Sequence, residues 1–149
     1  MMSLSNIPLM QERLWAERGK GAFLNGKRVH VSAKRKLDES MISFGSLGAF
    51  RQRRMEPRML SLLHACRRQR SFGDLWPYHL LASGRLEIVV EAAIKPMDVA
   101  PFVCIVREAG GRTSDLSGKP FDLQISSFVA TNGNLHGPVM KYLRRKRTA

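Results

Sequence analysis

Acidic residues are scarce in this 149-residue chain: 12 Asp and Glu stand against 25 Lys and Arg, for a net charge of +13 and a pI of 10.9. Such a field draws anions in general, whether phosphate esters, nucleic acid or an acidic partner. The bland alternatives are a solvated basic surface and an acidic complement encoded elsewhere. Cysteine is limited to Cys66 and Cys104. Each sits in an apolar helical pattern, which points to buried free thiols in a reducing cytoplasm rather than to a disulfide. Aromatics make up 7%, too few to interleave a basic surface with stacking platforms, and no nucleic-acid motif is visible, so a nucleic-acid-binding module is the weakest reading. The longest apolar run, Val99 to Val106, is broken by Pro101 and is far short of a membrane span. Met1 to Met10 has no basic start followed by an apolar block, so no secretory signal is expected. Also missing are a Gly-x-Ser-x-Gly elbow, a Gly-Lys-Ser/Thr phosphate loop and any metal spacing among His30, His64, His79 and His136. Packing or surface roles are expected for all four histidines.

What is present is an alternation of strands and helices with a hydrophobic fraction of 44%, enough for one layered α/β domain. Met1 to Pro8 reads as a loose leader. Asn25-Gly26 signals a tight hairpin turn, followed by a short strand carrying Val29 and Val31. Ser40 to Phe44 is a second strand candidate. Glu56-Pro57 opens a helix whose Met59, Leu62, Leu63 and Cys66 share one face. Asp74 is placed to cap a helix over 75–83, and Asp98 to cap one over 99–109 with Pro101 in its first turn. Trp76 and Tyr78, at the start of the first of these helices, read as core. Leu86 to Glu91, Arg112 to Asp115 and Phe128 to Thr131 read as strands, and His136 to Arg145 as a last helix.

Asp98 carries the chemical interest. It stands where a strand hands over to a helix N-terminus, a place that favours a carboxylate and offers free N–H groups to a phosphate. Two anions there conflict unless a divalent cation lies between them, and Mg²⁺ prefers carboxylate and phosphate oxygens. A plain helix cap explains Asp98 equally well from these residues alone.

Four motifs in order point further. Trp15-Ala-Glu-Arg-Gly-Lys-Gly-Ala-Phe-Leu-Asn-Gly26 with Val31-Ser32, then Lys95-Pro-Met-Asp98-Val-Ala, then Glu108-Ala-Gly-Gly111 and Phe128-Val-Ala-Thr-Asn-Gly133 resemble the inositol monophosphatase family. The resemblance spans residues 12–143 and implies the layered sheet–helix, C-terminal part of that α/β fold, as an incomplete copy. Residues 1–11 are then a leader and 144–149 a basic tail. Arg70-Ser-Phe-Gly-Asp74 is more similar to the histidinol-phosphate phosphatase branch than to the Gly-Ser-Ala of inositol-type members.

The resemblance implies a Mg²⁺-dependent phosphomonoesterase acting on histidinol phosphate or inositol phosphate. Asp98 would be a metal ligand, Glu91 would contact a substrate hydroxyl or amine, and Asp74 would add a second polar contact. The structural alternatives are a solvated strand end for Glu91 and a helix cap for Asp74. No catalytic residue is assigned within this chain. The family's Trp before the metal-binding Asp is Met97 here, expected to fill the same apolar space. The family's other metal ligands, an upstream Glu and an Asp-Pro-(Ile/Leu)-Asp-Gly-Thr loop, have no counterpart, for the sequence holds no Asp-Pro and no Asp-x-x-Asp pair. Little or no activity is therefore expected of the chain alone, and whether it is an enzyme at all stays open. The rival is an inactive remnant, or a subunit pairing with a separate N-terminal chain or with a second copy of itself.

Overall fold

The computed structural model describes residues 1–144. The expected basic tail lies, apart from Arg144, outside the described residues. Two sheets organise the chain. The first is an antiparallel meander of β1 (Met2–Ile7), β2 (Glu12–Glu17), β3 (Gly21–Leu24) and β4 (Lys27–Val29), in that spatial order. The second is mixed, with spatial order β6 (Arg68–Arg70), β5 (Met41–Phe44), β7 (Ile88–Glu91), β9 (Phe128–Thr131), β8 (Arg112–Ser114). Its β5 runs parallel to both β6 and β7, and β9 antiparallel to both β7 and β8.

The expected leader is a strand. Met2 to Ile7 pairs with β2 along its whole length. Its Ser5 is buried, while Met2 and Leu4 face outward, more than half exposed. The polar residue lies inside and the apolar ones outside, so alternation gave no strand signal. Burial of Ser5 is satisfied by His79, whose ring bonds the Ser5 hydroxyl at 2.9 Å and the Glu12 carboxylate at 3.0 Å. Asn25-Gly26 does form the β3–β4 turn, with φ of 50° and 79°. That is the two-residue turn whose twist matches a hairpin. The Asn25 side chain pins it, accepting the Arg13 N–H and donating to the Gln11 carbonyl.

Between the sheets lie α3 (Trp76–Ala82) and α4 (Pro96–Glu108). Leu14, Ala16 and Ala22 of the first sheet meet Tyr78, Phe102, Val106, Val89 and Ala130 in one core. On the far side of the second sheet, α1 (Leu47–Gln52), α2 (Glu56–Ala65) and α5 (His136–Arg144) build another core with Ile42, Ile88, Val90 and Val129. Both faces of β7 are thus covered, with Ile88 and Val90 on one side and Val89 on the other. This is why its sequence is uninterrupted apolar rather than alternating. Met59, Leu62, Leu63 and Cys66 are buried on one face, as their spacing predicts. Both cysteines are free and buried. Among the described residues no helix is long and apolar enough to cross a membrane.

Both helix starts differ from the sequence expectation. Helix α3 begins at Trp76 with Leu75 as its N-cap, and no side chain caps it. Asp74 lies one residue further out in the left-handed region, φ 53°. Helix α4 begins at Pro96, so Asp98 is its third residue rather than its cap, and its Oδ2 accepts the Lys95 N–H at 3.1 Å. The carboxylate still satisfies an N-terminal donor, reaching back from inside the first turn. Pro101 then falls in the second turn, and the bond that would reach the Met97 carbonyl is absent.

Candidate active site

Three chain reversals meet at one end of the mixed sheet. The turn before α3 brings Asp74, the end of β7 brings Glu91, and the start of α4 brings Asp98. All three line a single cleft of about 280 Å³, with Tyr78, Ile94 and Val99 as part of its wall. The family resemblance assigns these three acids to a site, and the fold brings them to one cleft although 24 positions separate Asp74 from Asp98 along the chain. Strand-end and helix-start positions converge here because β7 leads straight into α4, while α3 packs on both β7 and α4.

Each acid has its own environment. Asp74 and Asp98 are exposed, and Glu91 is half-buried. Burial, and then the neighbouring Asp74 carboxylate, push the Glu91 carboxyl up to about 7. Ordinary carboxyls titrate near 4. Beside Glu91 lies Gly45, just past the end of β5, whose N–H donates to the Val90 carbonyl at 3.1 Å. A Cβ on residue 45 would run into the Glu91 carboxylate. Glycine lets the carboxylate lie that close, and a larger residue there would make the Glu91 side chain shift.

Tyr78 completes the wall. Its ring stacks on Phe102 with centroids 4.2 Å apart. Its hydroxyl is buried and has no hydrogen-bond partner among the described residues. Burial, then Glu91 and Asp98, hold its pKa well above the ordinary tyrosine value. It is therefore a neutral donor aimed at no protein acceptor, and such a group calls for a bound acceptor or water. Sequence reasoning counted Tyr78 as core and passed over Gly45. The ring is core, and the residue also forms part of the cleft wall. No periodicity separates the two.

Met97 does not fill an apolar space. Its side chain is 84% exposed, because α4 starts early enough to turn this position to the surface. The histidines behave as packing or surface groups. His79 and His136 are buried, His30 and His64 exposed.

Carboxylate oxygens are the right donors for Mg²⁺, but their number and spacing fall short. Among the described residues no group of three or more His, Cys, Asp or Glu side chains is placed to hold an ion. One oxygen of Asp98 is already engaged by Lys95. The chain's own residues do not fit a complete metal site.

The fold is a layered α/β arrangement of two sheets with helices between them, and three acids gather at strand and helix ends on one cleft. The inositol monophosphatase family pattern matches residues 1–148, and the chain belongs to that family. It is 38% identical over 143 residues to a histidinol-phosphatase of Mycobacterium tuberculosis, covering 93% of this chain and 55% of that protein. It is 35% identical over 144 residues to a fructose-1,6-bisphosphatase/inositol-1-monophosphatase of Thermotoga maritima, covering 94% and 54%. Among solved structures, an IMPase of Thermotoga maritima superposes with a TM-score of 0.85 at 33% identity, over 96% of this chain and 55% of that one. An inositol monophosphatase of Zymomonas mobilis gives 0.88 at 26%, over 97% and 58%. The chain thus spans little more than half the length of these relatives.

Proposed function

We propose that this chain supplies one wall of a phosphomonoesterase cleft, with Asp98 as one oxygen ligand to Mg²⁺ and Glu91 and Asp74 as contacts to the alcohol part of the substrate. The observation that carries this reading is the convergence of the three acids on one cleft with Tyr78 in its wall. An acid-rich wall suits a substrate that brings a cation or several hydroxyls. Histidinol phosphate, with its amine, fits best, and inositol phosphate second. A cation near Glu91 would offset the Asp74 repulsion and draw the carboxyl back toward its ionised form.

The shortage of metal donors favours a second element in this reading: the remaining ligands come from polypeptide outside the described residues, such as a separate N-terminal chain. The outward-facing Met2 and Leu4 on β1 offer apolar surface for such a contact. A reducing cytoplasm is the setting proposed, on the two free buried thiols.

Phosphate release from histidinol phosphate and from inositol 1-phosphate tests the proposal. The chain alone with Mg²⁺ is expected to give little or no turnover. Mixing it with the N-terminal part of a histidinol-phosphatase relative is expected to restore turnover, greater on histidinol phosphate. Mg²⁺-dependent turnover by the chain alone at the rate of a full-length relative would overturn it. A DNA titration separates the nucleic-acid alternative: binding from charge alone vanishes at modest salt.

A further inference from the structure

A second cavity, of about 620 Å³, opens between α2, α5 and the 115–127 connection, and its chemistry is opposite to that of the carboxylate cleft. Arg53, Arg58, Lys119 and Arg144 all line it. None of these four makes an ion pair among the described residues. The guanidinium groups are instead anchored on uncharged oxygens. Arg53 donates to the Ala92 carbonyl and to the carbonyl and hydroxyl of Ser126. Arg58 donates from Nη1 to the Leu143 carbonyl at 3.2 Å, while its buried Nε has no partner. Arg144 donates to the Ser117 carbonyl.

Two carboxylates share the wall but are already committed. Asp115 accepts the N–H groups of Ser117 and Lys119 and the Ser117 hydroxyl. Asp122 accepts the Gln124 N–H. Three guanidinium groups held in place by neutral oxygens, the Lys119 ammonium beside them and one buried donor unmatched leave cationic groups in excess over the two carboxylates of the wall.

We propose that this cavity binds a small multivalent oxyanion, a free phosphate or the phosphate of an ester, with Arg58 and Lys119 among its contacts. The two cavities share a wall. Ala92 takes the Arg53 bond, and the Ile94 N–H donates to the same Ser126 carbonyl that Arg53 reaches. Ile94 also lines the carboxylate cleft. An anion that draws Arg53 toward itself therefore acts on the segment joining Glu91 to Asp98.

Titration of the full chain at constant ionic strength, by calorimetry or amide NMR, tests this with inorganic phosphate in one arm and glycerol phosphate in the other. Saturable binding of either probe supports the site, and the arm that binds tells free anion from ester. Arg58→Met and Lys119→Met are each expected to weaken binding about tenfold, the equivalent of one charge-assisted hydrogen bond. Arg67→Met/Arg68→Met, which removes two exposed charges elsewhere, and Asp98→Asn are expected to leave it within about twofold. The exposed Lys119 variant decides the matter if Arg58→Met fails to fold. No saturable binding would overturn the proposal. So would equal losses in the Arg67/Arg68 control, which would mean an adventitious ion only. A change in binding of more than about twofold in Asp98→Asn, in either direction, with Lys119→Met unaffected would place the anion in the carboxylate cleft and overturn this site without touching the proposed function.

Discussion

Replacing Glu91 with Gln should stabilise this protein above neutrality and leave it unchanged in acid. Glu91 titrates near 7 in the fold, against 4.5 for the free side chain, because it is half-buried and faces Asp74. A carboxyl that holds its proton more tightly when folded makes the fold lose stability as pH rises through that window, and the penalty is complete above about 7. At ~1.4 kcal/mol per pH unit, the difference has an upper limit of about 3.5 kcal/mol. Partial exposure at the cleft lets solvent screen the charge, so roughly 2 kcal/mol is the working figure. Glutamine keeps the shape and removes the charge. Urea midpoints at pH 8 should therefore rise for Glu91→Gln by about 2 kcal/mol over wild type, while those at pH 4 agree within about 0.5 kcal/mol. Equal differences at both pH values, or a less stable variant at pH 8, would refute the account of the Glu91 environment.

Other substitutions probe the supports of the cleft. Gly45→Ala should cost about 1–3 kcal/mol by thermal or urea melting, because its Cβ displaces the Glu91 carboxylate. Adding Glu91→Ala to it should recover part of that loss. Asp98→Ala should cost about 1 kcal/mol through the lost Lys95 bond, measured by urea midpoint. Phe102→Ala should cost about 3–5 kcal/mol, since it empties a fully buried site and removes the stacking partner of Tyr78. Its near-ultraviolet circular dichroism should weaken along with the melting temperature.

The sequence made some of this fold easy to read and hid the rest for physical reasons. The Asn25-Gly26 turn and the apolar face of α2 were legible because one local rule decides each. Strand β1 was not, because its buried Ser5 is paid for by His79, 74 positions away. The helix starts shifted because prolines at 77 and 96 allow several registers. Asp98 reached a capping donor from a position the pattern did not single out. The acids of the cleft were found through motif resemblance, not periodicity. Gly45, against the Glu91 side chain, and Tyr78, in the cleft wall, come near them through close approaches in space that leave no mark on local pattern.

The most direct test is a covalent chimera joining the N-terminal part of the Mycobacterium tuberculosis histidinol-phosphatase to this chain, assayed for Mg²⁺-dependent phosphate release from histidinol phosphate. The folded chimera should turn over, and Asp98→Asn should lower the rate roughly 100-fold or more, since the proposed metal ligand is lost while the helix start keeps its side-chain acceptor. A folded chimera whose Asp98→Asn form hydrolyses as fast as its parent would contradict the placement of Asp98 at the reacting phosphate.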